Sequence, residues 1–374
     1  MDPKERPRVM LVGPMPPLKG GITTFLLNLI NSPMNKRYEF VTFSTSRPQK
    51  SNVIDNWGYT SMLRGGVRRI LYGIALTAWR FLKFPVVLAQ GRINLVQTHG
   101  SDYQSFWEAM AYTAVSRLMG RRVLLRIGGA FDHFHAASLP IVQRIIQASL
   151  RIPHIVIVQS AFARRYVEEV SGINSILILP NWTRAPIYAG DRPLRQNPRF
   201  MFIAGNEARR KGVEEVIRAA QILEGKASPA RFHMVAIVPQ LADRIDQLNL
   251  TMIDRIEGFV EQKRILAIMR ECDVFLLPSH GEGFPNSLLE AMACSLPSIV
   301  TPVAAVPEIV ALGGGAIMVP AGDAEALASA IEALASDPQL RRTLGEQARQ
   351  SVSQNFTAQK VLRLLENAYE TLRS

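Results

Sequence analysis

The sequence predicts an α/β protein built from two doubly wound parallel-sheet domains, and three observations predict it. Short apolar runs alternate with amphipathic stretches from end to end, as repeated βαβ units require. At 374 residues the chain exceeds one ordinary core and suits two. The alternation stops once, in the aperiodic segment 181–199 that is broken by Pro186, Pro193 and Pro198, and then restarts. The expected division is therefore an N-terminal domain over 1–183 and a C-terminal domain over 184–355. A closing helix over 356–374 is expected to pack back on the first domain.

In the first half, strands are expected at RVMLVG (8–13), YEFVTFS (38–44), INLVQT (93–98), RVLLRI (122–127), HIVIVQ (154–159) and SILILP (175–180). Amphipathic spacing places helices over 22–31, 103–119 and 161–170. After the break come FMFIAG (200–205), FHMVAIV (232–238), RIEGF (255–259), DVFLLPS (273–279), PSIVT (297–301) and GAIMVP (315–320). Helices over 213–223, 262–270, 286–293 and 324–334 separate them, and an amphipathic helix over 358–372 closes the chain. Open parallel sheets bind ligands beyond the C-terminal ends of their strands, and two such sheets facing each other make a cleft, so the chemistry is expected there.

Composition narrows the class. Apolar residues at 48% and charged residues at 20% describe a globular chain rather than a disordered one. No run reaches the roughly 18 apolar residues of a membrane span, and the N-terminal apolar run is too short for a signal-peptide core. The two cysteines, Cys272 and Cys294, lack metal-ligand spacing and read as small buried hydrophobes in a reducing, cytoplasmic setting. No metal cluster or other cofactor is expected.

Charge is unevenly placed. Residues 1–183 carry 22 Lys and Arg against 9 Asp and Glu, whereas 184–374 carry 21 against 22. Any anionic surface this protein meets is met by its N-terminal half. Within that half, 56–101 contains no acid, six Lys or Arg, and the aromatics Trp57, Tyr59, Tyr72, Trp79, Phe81 and Phe84. At helical spacing Val67, Ile70, Leu71, Ile74, Ala78 and Phe81 form one apolar face, with Arg69, Arg80 and Lys83 elsewhere. A basic amphipathic helix of this kind suits an anionic membrane interface through residues 64–84, which would make the protein peripheral on the inner face of the cell membrane. An ordinary crossover helix packed on the first sheet is the alternative. Nucleic acid is not expected as a partner, because no recognisable binding module accompanies the charge.

The densest chemical signal is DVFLLPSHGEGFPNSLLEAMACSLPSIVT. A buried strand enters a loop with Gly281 and Gly283, and a helix begins at Asn286, a residue type suited to capping it. A helix N-terminus is a ready site for a diphosphate. Glu282 and Glu290 would repel phosphate but are suited to accepting hydrogen bonds from sugar hydroxyls. Taken alone, a strand, glycine loop and helix is equally a tight turn with surface glutamates.

HGEGFPNSLLEAMACSLPSIVT resembles the E-x7-E region of the family 4 glycosyltransferases. These have the GT-B fold, two Rossmann-like domains facing across a cleft. The resemblance continues through VPEIV, GGGAIMVPAGD and the closing helix, and backwards to IEGFVEQKRILAIMRECD. It implies a retaining enzyme that moves a sugar from a nucleotide diphosphate sugar to an acceptor hydroxyl. The acceptor would be a carbohydrate or lipid-linked intermediate of cell-envelope, exopolysaccharide or lipopolysaccharide biosynthesis. By the same resemblance Glu282 contacts the transferred sugar and Glu290 holds the ribose hydroxyls. The backbone of Gly283, Phe284, Pro285 and Asn286 would face sugar and diphosphate. IAGNEARRKG resembles the loop that brings two cations to the diphosphate. Lys211 matches one; Asn206 replaces the usual arginine, leaving Arg209 or Arg210 to supply the second. PPLKGGITTFLLNL resembles the family's N-terminal glycine loop, through Gly20 and Gly21.

One position departs from the pattern. Where the family often has a histidine after the fourth strand, this chain has Gly128-Gly129, with His99, His133 and His135 as candidate substitutes. A sugar-nucleotide epimerase of the same fold, or a non-catalytic sugar-nucleotide-binding member, are the alternative readings. A redox dinucleotide enzyme is disfavoured because no G-x-G-x-x-G follows the first strand.

Overall fold

The computed structural model describes residues 6–18, 20–46, 66–183, 185–188, 190, 192–205 and 209–373, with backbone alone at 66–72 and 74. The chain forms two units: Met1–Asn181 together with Gln359–Ser374, and Trp182–Ala358.

The first unit carries β1 (Arg8–Gly13), β2 (Glu39–Ser44), β3 (Leu95–Gly100), β4 (Arg122–Ile127), β5 (Ile155–Val158) and β6 (Ile176–Ile178), in the order β2-β1-β3-β4-β5-β6. The second carries β7 (Arg199–Ile203), β8 (Arg231–Ile237), β9 (Ile253–Glu257), β10 (Val274–Leu277), β11 (Ser298–Val300) and β12 (Ala316–Met318), in the order β12-β11-β10-β7-β8-β9. Every neighbouring pair is parallel. Each expected apolar run overlaps one strand. Their unbroken apolar character has a plain cause: β3 and β10 are buried along their whole length, as central strands covered on both faces must be.

Side-chain alternation along β4 sorts the layers of the first unit. Val123, Leu125 and Ile127 point to one face, where they meet Phe84 and Leu88 of helix Gly66–Gln90, Phe106 and Tyr112 of helix Tyr103–Leu118, Ile146 of helix Pro140–Ser149 and Val167 of helix Ala161–Ser171. Arg126 points to the other, against the ring of Phe25 of helix Gly21–Ile30. On that same face the hydroxyl of Tyr369, from helix Ala358–Arg373, donates to Gln97 of β3.

Several helices lie outside the expected set. Pro140–Ser149, Pro239–Gln247, Val306–Ala311 and Pro338–Asn355 all carry proline in the first two positions. Read along the chain these prolines punctuate; in the first helical turn the missing N–H costs nothing and the fixed φ is already helical.

The basic helix is real, and of the two expected face residues with described side chains, Phe81 packs inward and Ala78 does not. Ala78 is exposed, and the buried stripe is Arg80, Phe84 and Leu88, with Phe81 stacked on Tyr112 at 4.6 Å. Arg80 is no surface cation: its guanidinium donates to the carbonyl of Thr45 at 2.8 Å and to that of Ser46. Trp79, Leu82 and Val86 face solvent instead, with the Lys83 ammonium 4.9 Å from the Trp79 ring. A helix apolar almost all round offers no unique stripe, so periodicity alone could not say which side the sheet would take. Trp57, Tyr59 and residues 64–65 lie outside the described residues, as do the side chains of Val67, Arg68, Arg69, Ile70, Leu71, Tyr72 and Ile74. No helix among the described residues is long and apolar enough to cross a membrane. Cys272 and Cys294 are both buried, and burial pushes the Cys272 thiol up to about 12.

Candidate functional site

In the second sheet the chain builds outward from β7 through β8 to β9, then crosses back to β10 and continues to β12. The reversal lies between β7 and β10, and the loops leaving these two strands diverge there, the usual position of a ligand crevice. The loop after β7 carries Arg209, Arg210 and Lys211 into helix Val213–Gly225. The loop after β10 carries Ser279 to Pro285 into helix Asn286–Ala293.

The two loops touch at the backbone. Gly212 has φ 80°, and a Cβ there would lie 2.0 Å from the Pro278 carbonyl oxygen, so no other residue type fits. His280 N–H donates to the Arg210 carbonyl at 2.8 Å, and the Arg210 guanidinium donates to the Gly281 carbonyl. This contact delivers the Lys211 ammonium to 2.6 Å from Glu282 Oε1. Arg210 stands 3.7 Å from the other carboxylate oxygen, and the Ser279 hydroxyl donates to Oε1 at 2.8 Å. Glu282 is only 6% exposed. Ser279 is itself held, its carbonyl accepting from the Thr301 hydroxyl. Arg209 is exposed, and Asn206 lies outside the described residues.

The helix spans the expected residues, Asn286–Ala293, but its cap differs. Pro285, not Asn286, occupies the cap position, and Asn286 is the first helical residue. Proline has no side-chain acceptor, so the cap residue makes no side-chain hydrogen bond to the first turn. Phe284 is buried and packs edge-on to Phe356 with ring centres 5.7 Å apart. Gly283 accepts from the Ala305 N–H at 3.4 Å. One turn along the helix, burial pushes the Glu290 carboxyl up to about 7, against the pull of Gln262, whose amide donates to it at 2.5 Å. Beside the loop, His280 Nε2 lies 3.0 Å from Glu215. Ser279, Gln262 and the His280–Glu215 pair were not singled out in the sequence; each is tied to its partner by folding, and their types carry no signal alone.

The remaining expected residues belong to the first unit. Gly20 caps helix Gly21–Ile30, and a Cβ on Gly20 or Gly21 would meet nothing within 4 Å, so crowding does not require glycine at either. Gly128 and Gly129 follow β4, and Gly129 has φ 68°. Of the three histidines, two are buried and one is exposed. His99 is buried in β3, 2.9 Å from Gln97 Nε2, and burial followed by the Arg126 charge holds its imidazole well below the usual range. His135 is buried against the Tyr166 hydroxyl at 2.9 Å, and His133 is exposed. Beside His99 sits Arg126, fully buried, 3.8 Å above the Phe25 ring and 2.7 Å from Asn181 Oδ1; burial lowers it to about 9.

Two six-stranded parallel sheets with flanking helices place the chain in the GT-B class. Within the chain, residues 187–351 match the family described as Glycosyl transferases group 1. The capsular polysaccharide biosynthesis glycosyltransferase CapM of Staphylococcus aureus is 29% identical over 170 residues, 45% of this chain and 44% of that one. The N,N'-diacetylbacillosaminyl-diphospho-undecaprenol alpha-1,3-N-acetylgalactosaminyltransferase of Campylobacter jejuni is 28% identical over 165 residues, 43% of each chain. The chain thus spans less than half the length of either relative. Anabaena HepE, solved in complex with UDP and glucose, shares the fold with a TM-score of 0.71 over 98% of this chain and 99% of that chain, at 17% identity.

Proposed function

We propose that the protein is a retaining glycosyltransferase that moves a sugar from a nucleotide diphosphate sugar to an acceptor hydroxyl in polysaccharide biosynthesis. The observation that carries this is the convergence of Lys211 and Glu282 at the switch point of the second sheet, beside a helix start that no side chain caps. Transfer requires stabilising negative charge on the departing diphosphate and positive charge at the anomeric carbon. Lys211, Arg210 or Arg209, and the N–H groups of helix Asn286–Ala293 serve the first need. Glu282, pinned by Ser279 and facing the sugar, serves the second. The anomeric bond to the diphosphate breaks and a bond to the acceptor oxygen forms on the same face. The acceptor's proton passes to the departing phosphate, so no separate protein base is needed. Glu290 accepts from the ribose hydroxyls.

The relatives are named for capsule and lipid-diphosphate substrates, and HepE was solved with UDP and glucose, which supports a nucleotide-sugar donor and a glycan or lipid-linked acceptor. A contact with anionic membrane through helix Gly66–Gln90 fits such an acceptor, with Trp79, Leu82 and Lys83 as its exposed groups.

The test is transfer from UDP-, GDP- and ADP-sugars by wild type and Glu282→Ala, alongside nucleoside diphosphate binding. Loss of transfer with binding retained is expected. Near-normal transfer by Glu282→Ala would overturn the assignment.

A further inference from the structure

Helix Pro140–Ser149 turns an apolar face to solvent. It buries Ile146 and, just past its end, Leu150. Leu139, Ile141 and Ile145 are 70%, 61% and 50% exposed. Amphipathic surface helices keep such residues inward and polar ones outward. Here the outward stripe is Ile141, Arg144, Ile145 and Ala148.

The surrounding segment is net basic. Residues 133–167 contain no Asp or Glu but carry Arg144, Arg151, Arg164 and Arg165. Of the acids bounding the segment, Asp132 lies 3.8 Å from His133 and Glu168 is paired with Arg164 at 2.6 Å, while Glu169 is exposed. Arg144, Arg151 and Arg165 are exposed. The helix belongs to the same layer as Gly66–Gln90, since both pack on the face of the sheet to which Val123, Leu125 and Ile127 point.

We propose that helix Pro140–Ser149 is a second membrane-docking element, inserting Leu139, Ile141 and Ile145 into the interface of an anionic bilayer with Arg144 at the phosphate level. This rests on the membrane contact proposed above for Gly66–Gln90 and extends it: one anchoring helix leaves the unit free to rotate about its axis, whereas two fix its orientation. Charge selects the occupant. A second copy of this chain would present the same net-basic surface and be repelled, while exposed aliphatic side chains among arginines match an interface of acyl chains and anionic headgroups.

The experiment is co-sedimentation of the full chain with vesicles of phosphatidylglycerol mixed with phosphatidylcholine, at low salt. Ile141→Ser/Ile145→Ser should lower vesicle partition by about tenfold or more, since two aliphatic side chains no longer leave water. Its melting temperature should match wild type, because neither residue is buried. In an Ile141→Trp variant, indole emission should shift blue on vesicle addition and be quenched by brominated lipid. If wild type binds and the double serine variant binds equally, the docking helix is wrong, while the contact through Gly66–Gln90 stands. If wild type does not bind, both fall. If the serine variant instead changes the oligomeric state, the face joins copies of this chain and the inference is overturned.

Discussion

Lys211 and Glu282 lie 71 residues apart in the sequence and 2.6 Å apart in space, and the two sides of this ion pair are unequally buried. The Glu282 side chain is 6% exposed and that of Lys211 is 22% exposed. Removing one member of a buried pair leaves the other uncompensated. Lys211→Ala strands the more buried charge, although Ser279 and Arg210 still reach it. Glu282→Ala leaves an ammonium that can turn to water. Lys211→Ala should therefore lower stability by about 1–3 kcal/mol and Glu282→Ala by less. Urea denaturation decides the order, and the reverse ranking would contradict it.

The raised Glu290 carboxyl makes a pH prediction with a definite sign. The folded protein holds this proton up to about 7, above the unfolded value of 4.5. The unfolded chain therefore ionises first, and the Glu290 contribution to stability is lost as pH rises from 4.5 to about 7. Glu290→Gln should flatten that part of the melting temperature against pH. Donor binding should move the opposite way, since a carboxylate accepts ribose hydroxyls better than a carboxylic acid does. Nucleoside diphosphate affinity of wild type should weaken below about pH 7. A pH-independent affinity would remove Glu290 from the donor site.

The two arginines of the basic loop are not equivalent. Arg210 is tied to the Gly281 carbonyl and stands near Glu282, whereas Arg209 is exposed. Calorimetry with the nucleoside diphosphate should show Lys211→Ala weakest. A further loss in one arginine variant identifies the second cation. Wild-type affinity in both would mean that the site works with Lys211 alone.

Gly212 joins the two site loops. Gly212→Ala combines positive φ with a Cβ 2.0 Å from the Pro278 carbonyl oxygen, so either the loops separate or the backbone distorts. A loss on the order of 3 kcal/mol is expected. A thermal melt unchanged from wild type would show that the loops do not meet as described.

Arg80 and Lys83 separate packing from surface charge on one helix. Arg80→Ala should destabilise the fold, because it frees the Thr45 and Ser46 carbonyls from a buried donor. Lys83→Ala should leave the melting temperature alone and weaken binding to anionic vesicles. Equal melting temperatures for the two variants would contradict the burial of Arg80.

Much of the fold was legible because its signal is local. The apolar runs of β3 and β10 are continuous, since a central parallel strand is covered on both faces, and that pattern survives in one dimension. Helix boundaries were less legible where proline opens them, as at Pro140, Pro239 and Pro338, because a residue that breaks a helix inside also starts one. At the site, glycines before a helix and a lysine before another were visible as types and spacing. Ser279 beneath Glu282 and Gln262 against Glu290 were not, since nothing local distinguishes a serine or glutamine that will meet a carboxylate.

The sequence by itself determined the twelve strands of the described residues, the α/β class and the basic, acid-poor character of the N-terminal half, because periodicity and composition are properties of the chain. Tertiary structure alone decided which way side chains turned. It buried Arg80 and exposed Trp79, placed Pro285 rather than Asn286 at the helix cap, left Ile141 and Ile145 in solvent, and brought Lys211 to Glu282. The physical reason is that a helix or loop can meet its sheet in several rotations of similar local energy, and only the packing of elements distant in sequence selects among them.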